Sequence, residues 1–120
     1  MFEEITKENW LMFALRNYEN PTLEKEAEFY DDLKRFKYLK RLFRKYKMTG
    51  EVKVRLVINH VIILTNVFTV EAAITLLLFK IDREYWSILK PVLNYLSYLY
   101  PNELDGVIED IRIKRLLEEL

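Results

Sequence analysis

The stretch Val52–Ile81 reads VKVRLVINHVIILTNVFTVEAAITLLLFKI, and its apolar character decides the fold. Between Leu56 and Phe79 it carries a single charged residue, Glu71. Apolar side chains at this density must be removed from water, so the rest of the chain is expected to cover them. Polar residues interrupt the stretch, so it contains no uninterrupted run of about 18 apolar residues, the length that a membrane span requires. These are Asn59, His60, Asn66, Thr69 and Glu71.

Composition places the chain among globular helical proteins. It has 120 residues, of which 51% are hydrophobic and 14% aromatic, with only two glycines and three prolines. This excludes disorder and disfavours a turn-rich all-β fold. Because there is no cysteine, a disulfide framework and thiolate chemistry are excluded, and a reducing cytoplasm fits. The N-terminal sequence MFEEITKENW does not have the pattern of a signal peptide.

Helical periodicity predicts an all-α fold in a single domain over residues 1–120. We expect a compact bundle of about five to six helices around a nearly apolar central helix at about 52–67. Alternation of Val52, Val54 and Leu56 also fits a strand, but the apolar run is too long for one. Predicted helices cover 6–18, 22–47, 52–67, 69–80, 82–100 and 102–120.

Local signals mark the boundaries of these helices. Thr69 is expected to cap the fourth helix, and Gly50 suits a left-handed turn before the central one. Pro91 predicts a kink or a break because it lacks the N–H that a helix interior needs. Asn102 resembles the start of a capping box, and Gly106 is expected to interrupt the last helix early.

A basic block makes one flank of helix 22–47 a candidate nucleic-acid surface. Residues 34–47 contain eight Lys and Arg and no acid, whereas residues 1–33 sum to −6 and residues 48–120 to −2. Contacts between several basic side chains and phosphates give sequence-independent binding. The alternative is that these bases complement the helix macrodipole or pair with the acidic N-terminal part. The candidate contacts are Lys34, Lys37, Lys40, Arg41, Arg44 and Lys45.

Polar residues on the central helix form the second candidate feature. Arg55, Asn59 and Asn66 fall within about 40° of each other on a helical wheel. We interpret them as a buried polar line that fixes packing in the core or in a dimer interface. The alternative interpretation is a small ligand site.

No catalytic, cofactor or metal site is predicted. His60 is the only histidine, and the sequence shows no partner set of nucleophile, carboxylate or further ligands around it. We therefore interpret it as a histidine whose hydrogen bonds are satisfied in the core. The acidic cluster near residues 103–110 lacks the loop pattern of a calcium site.

Several stretches of the chain together carry a family resemblance that covers roughly residues 5–101. The stretches are Glu8–Trp10, Arg35–Tyr46, Arg55–His60, Asn66–Phe68, Leu78–Lys80, and Trp86 with Leu89 and Lys90. They resemble a family of small uncharacterised proteins of T4-like tailed phages of marine bacteria, cyanophages especially. The resemblance implies a viral origin and expression in the cytoplasm of an infected bacterial host, and it implies no activity or site.

These observations predict a non-enzymatic interaction or adaptor protein. It would act through a protein partner or by self-association, because the apolar content exceeds what a small monomer needs. Aromatic residues left outside the core would form the partner surface, since Tyr and Trp are enriched at interfaces. The candidates are Tyr85, Trp86, Tyr95, Tyr98 and Tyr100. The alternative is a non-specific nucleic-acid binder that uses the basic flank of helix 22–47.

Overall fold

The structure is a computed structural model that describes residues 31–120. These residues form α-helices, one 3₁₀ helix and turns, with no β-strand among them, which confirms the predicted all-α fold class. The predicted helix 6–18 and the start of helix 22–47 lie outside the described residues. The α-helices are α1 Lys37–Lys45, α2 Gly50–Leu64, α3 Val70–Lys80, α4 Leu89–Leu99, α5 Pro101–Ile108 and α6 Ile111–Glu118, and the 3₁₀ helix is Arg83–Ile88.

Helix α2 is the centre of this arrangement, as its apolar sequence predicts. It packs against α1, α3, α4 and the 3₁₀ helix, while α5 packs against α3, α4 and α6. Val57, Val61 and Leu64 of α2 have no exposed surface. The neighbouring helices are therefore arranged around the most apolar segment, because burying that segment gives the largest gain in free energy.

Threonine side chains begin the two most apolar helices. Thr49 Oγ1 accepts a hydrogen bond from the Val52 N–H at 3.2 Å, and Thr69 Oγ1 accepts one from the Ala72 N–H at 3.2 Å. The predicted cap at Thr69 is confirmed. The left-handed conformation expected at Gly50 is wrong, because Gly50 is already the first residue of α2 and has no positive φ.

The helix expected at 82–100 divides before Pro91 rather than kinking at it. A 3₁₀ helix ends at Ile88, and Pro91 is the third residue of α4. The N–H groups of the first helical turn have no intrahelical partner, so a proline there costs nothing in hydrogen bonding. Of the predicted kink or break, the structure therefore shows a break between Ile88 and Leu89, and α4 continues through Pro91.

The last helix is also divided, at Asp110. The Asp110 carboxylate accepts a hydrogen bond from the Arg112 N–H at 2.8 Å and opens α6. Helix α5 begins with Pro101, so Asn102 is not its cap, and Gly106 lies inside α5 without interrupting it. Proline suits the first helical position because its fixed φ is already helical.

Helix 22–47 is broken at Phe36, which the sequence did not predict. Residues 31–35 are helical, Phe36 has φ 58° and ψ 22°, and α1 begins at Lys37. The left-handed conformation costs a non-glycine residue roughly 1–2 kcal/mol. The Phe36 ring is 1% exposed, so burial of this large side chain offsets that cost.

Candidate functional site

The predicted buried polar line on α2 does not form. Arg55 and Asn66 are exposed and Asn59 is half-buried. Helix α2 ends at Leu64, so Asn66 lies in the following turn, away from the other two. The prediction failed because this face of α2 points away from the core, where polar side chains remain hydrated.

Arg55 and Asn59 instead line an open groove of about 940 Å³ between α2 and α4. Its apolar walls are two rows of side chains spaced four residues apart, which is how ridges form on helices. On α2 the row is Val54, Ile58 and Ile62, and on α4 it is Pro91, Tyr95 and Leu99. The two rows face each other across the groove. No further helix of residues 31–120 fills the space between them, so the groove is open.

The α4 side of this groove presents large exposed side chains. Tyr95 is 50% exposed, Leu99 42% and the adjacent Tyr98 86%, while Ile62 across the groove is 36% exposed. Two of the aromatic residues singled out from the sequence are therefore outside the core. Apolar and aromatic side chains concentrated in one concave surface are typical of a binding face.

Polar groups lie along the α2 rim of the groove. Arg55 Nη2 donates to Glu51 Oε1 at 2.7 Å, one helical turn apart. Glu51, Arg55 and Asn59 all line the groove. This rim offers an acceptor, a cation and an amide beside the apolar walls, a combination that can orient a bound segment.

The six basic residues proposed for nucleic-acid contact divide into two sets. In the first set, each basic side chain is paired with an acid: Lys40 Nζ lies 3.1 Å from Asp82, and Arg41 Nη2 lies 2.6 Å from Asp32. Arg44 completes this set, with Glu84 at 3.5 Å and Asp82 at 4.0 Å. The basic flank is therefore interrupted by acids that the linear sequence places as far away as residues 82–84.

The second set, Lys34, Lys37 and Lys45, is exposed. Lys34 and Lys37 line a pocket of about 410 Å³, and Lys45 does not. Within residues 31–120, the residues that line this pocket are all basic: Lys34, Arg35, Lys37, Lys40 and Lys80. Lys80 was not predicted, because it is the last residue of α3 and is far from the basic block in sequence.

His60 has a structural role, as its position on the apolar helix predicts. It is 3% exposed, its Nε2 lies 2.7 Å from the Leu33 carbonyl oxygen, and its ring stacks on Phe36 with centroids 4.4 Å apart. Burial lowers the pKa of His60 to about 4. The ring is therefore neutral at physiological pH. Its single N–H is on Nε2 and donates to the carbonyl, because a carbonyl oxygen can only accept.

The family model of DUF7207, a family of unknown function, matches residues 1–120, and the chain therefore belongs to that family. Comparison with curated proteins and with solved structures gave no match. No helix within residues 31–120 is long and apolar enough to cross a membrane. Over the same range, no three His, Asp or Glu side chains are grouped so that they could hold one metal ion.

Proposed function

We propose that this DUF7207 protein is a non-enzymatic interaction module that binds an apolar helical segment of a partner protein between α2 and α4. The observation that carries the proposal is the pair of apolar rows that face each other across an open groove. A groove of this kind accepts the apolar face of an amphipathic helix.

The length of the groove determines what fits. Its walls extend over nine residues, and thus eight residue-to-residue steps, on each helix, from Val54 to Ile62 and from Pro91 to Leu99. At about 1.5 Å per residue this is roughly 12 Å, or two helical turns. A partner helix would therefore insert about three apolar side chains, spaced three and four residues apart.

Tyrosine side chains support a protein ligand in this groove. Tyr95 lines the groove and Tyr98 lies on the next part of α4, where it is 86% exposed. Tyrosine combines a large apolar ring with a hydroxyl and loses little conformational entropy on binding. Both side chains can therefore contribute to a partner interface without further rearrangement of the helix.

The environment of His60 supports a non-enzymatic role. Nε2 of the only histidine is committed to the Leu33 carbonyl, and the ring is buried against Phe36. A general base needs to be within hydrogen-bond reach of a substrate proton. A ring enclosed in this way serves the fold rather than a reaction.

The setting that we propose is the cytoplasm of a phage-infected bacterium, where the partner belongs to a host or phage assembly. This part rests on the resemblance of the sequence to the phage family described above. It predicts that the partner is present in lysates of the infected host.

Replacement of Tyr95 by a photo-crosslinking amino acid tests the proposal. Irradiation in an infected-cell lysate should link the groove to a partner peptide, which mass spectrometry identifies. A synthetic helix with that sequence should then bind the full chain in a fluorescence anisotropy titration. The I62E/L99E variant should abolish binding, because it places carboxylates on both exposed apolar walls.

The matched control is I111E. Ile111 is 65% exposed and lies outside the groove, so this change should leave peptide binding intact. Equal losses in I62E/L99E and I111E would contradict the proposal. A wild-type dimer that I62E/L99E converts to a monomer in light scattering would show that a second copy occupies the groove instead.

A further inference from the structure

We infer that the pocket lined by Lys34, Arg35, Lys37, Lys40 and Lys80 binds a compact anion that carries several phosphate groups. The pocket has a volume of about 410 Å³, and no acidic residue from the described part of the chain lines it. Its size falls within the range of roughly 300–1,000 Å³ that is usual for small-molecule sites. The inference does not rest on the proposed function, because the pocket and the groove share no residue.

Separate parts of the chain supply the basic side chains. Lys34 and Arg35 precede the break at Phe36, Lys37 and Lys40 belong to α1, and Lys80 ends α3. In an unbroken helix, Arg35 and Lys40 would point about 140° apart. The left-handed residue Phe36 changes the course of the chain between them, and both line the same pocket.

Ion pairs hold the outer parts of this pocket. Arg35 Nε lies 3.2 Å from Asp31, and Lys40 Nζ lies 3.1 Å from Asp82. Neither acid lines the pocket, so each pair fixes a basic side chain at the pocket wall from outside it. A binding site is more effective when its charged groups are positioned before the ligand arrives.

The remaining lysines have no acidic partner in the described part of the chain. No ion pair is formed there by Lys34, Lys37 or Lys80. Like charges that converge on one concave surface repel each other, and an anion between them removes that repulsion. The electrostatic energy of the pocket is therefore lowest when a multiply charged anion is bound.

Phosphate is the anion that fits this set of donors. Each lysine offers a compact charge with three rotatable N–H donors, which suits the tetrahedral oxygens of phosphate groups. No aromatic side chain of residues 31–120 lines the pocket, so these residues offer no platform on which a nucleobase could stack. Recognition is therefore of the phosphates and not of a base.

The acids beside the pocket favour a compact ligand over a nucleic-acid backbone. A protein that follows a backbone contacts many phosphates along a continuous basic surface. Here Arg41 pairs with Asp32, and Arg44 lies next to Asp82 and Glu84. Positive charge is therefore concentrated in the pocket and interrupted beyond it.

Inorganic tripolyphosphate is the probe that tests this inference. It is titrated into the full chain by isothermal titration calorimetry at low ionic strength, and saturable one-to-one binding is expected. The K37Q/K80Q variant should weaken binding by about tenfold or more, because it removes charge-assisted contacts from both sides of the pocket. Circular dichroism of each variant checks that the helices are retained.

The matched control is K47Q/K90Q, which removes the same charge at exposed lysines outside the pocket. It should change the affinity by no more than about twofold, since it alters only the long-range field. Absence of tripolyphosphate binding, or an equal loss in both double variants, would overturn the inference.

A duplex DNA of arbitrary sequence, measured by fluorescence anisotropy over a salt series, separates the two sources of phosphate. We expect DNA to bind more weakly than tripolyphosphate, and tripolyphosphate to displace it. DNA binding that is tighter than tripolyphosphate binding, and that K37Q/K80Q and K47Q/K90Q weaken equally, would overturn the compact ligand and favour a nucleic-acid surface.

Discussion

The Nε2 atom of His60 lies 2.7 Å from the carbonyl oxygen of Leu33, beside the point where the helix breaks at Phe36. In a continuous α-helix that carbonyl would accept from the N–H four residues later. Here it accepts from the Phe36 N–H at 3.2 Å and from the histidine of the central helix. Two features that look unrelated in the sequence, a lone histidine and a helix break, are therefore parts of one structure.

Acid should destabilise the protein through His60. Burial holds its pKa at about 4 in the folded state, against 6.5 for an exposed histidine. Between these values the unfolded chain binds a proton that the folded chain does not, so the folded state loses stability as pH falls. The free energy of unfolding should decrease by up to about 3 kcal/mol at about pH 4.

Urea unfolding of the wild type and of H60Q between about pH 7 and about pH 4 measures this effect. The amide of glutamine can still donate to the Leu33 carbonyl but does not titrate. The free energy of unfolding of H60Q should therefore fall less steeply than that of the wild type as pH decreases. Titration of Asp110 does not interfere with this comparison, because its hydrogen bonds with Arg112 lower its pKa to about 2, below the pH range used. Identical slopes for the two proteins would contradict the prediction.

Substitutions at Phe36 should reverse the usual order of alanine and glycine. F36A should lower the free energy of unfolding by about 3–5 kcal/mol, because it removes a buried aromatic ring. F36G should be more stable than F36A by about 1 kcal/mol, since glycine adopts the left-handed conformation without strain. Chemical denaturation of both variants measures the difference.

Leu39 is the control position for this comparison, because it is buried inside α1. There glycine should be less stable than alanine by about 1 kcal/mol, as in any helix interior. The same order at Phe36 and Leu39 would show that Phe36 does not adopt the left-handed conformation in solution.

Loss of the cap at Thr69 should weaken α3. T69A should lower the free energy of unfolding by about 1 kcal/mol, because the Ala72 N–H loses its acceptor. T69S keeps the hydroxyl and should remain close to the wild type. T75A, which changes a threonine inside α3, should have a smaller effect than T69A, and a larger one would argue against the cap.

Replacement of Pro91 by alanine should change the free energy of unfolding by less than about 1 kcal/mol. Pro91 lies in the first turn of α4, where its missing N–H has no intrahelical partner. Removal of a proline that kinks a helix interior would stabilise the protein by about 3 kcal/mol instead. Y95P, in the middle of α4, provides the contrast and should cost about 3 kcal/mol or more.

Local sequence was a good guide wherever the cause of the structure is local. Thr69 caps α3, as expected from a threonine before an apolar run, because the acceptor and the donor lie three residues apart. The central position of α2 also follows from its sequence, since such an apolar helix has no other stable environment. The interpretation of His60 as a satisfied histidine had a different basis, namely that the sequence shows no partner set of nucleophile, carboxylate or further ligands around it.

The sites were less predictable because they depend on which faces the neighbouring helices cover. Arg55 and Asn59 were expected in the core or in a dimer interface, with a small ligand site as the alternative, and they line the open groove beside α4. Asn66 falls beyond the end of α2, and helix ends are the least reliable part of a prediction from periodicity. For the same reason, the sequence did not show that Tyr95 faces α2 across that groove.

The sequence by itself determined the all-α class, the central apolar helix and the cap at Thr69, because each follows from periodicity or from contacts within one helical turn. Only the tertiary structure decided the break at Phe36, since the Phe36 ring and the Leu33 carbonyl both contact His60, which lies on a different helix. It also decided which basic residues pair with Asp82 and which converge with Lys80 on one pocket. The charge and polarity of each side chain follow from the sequence, but its interaction partners lie on helices that meet only in the folded protein.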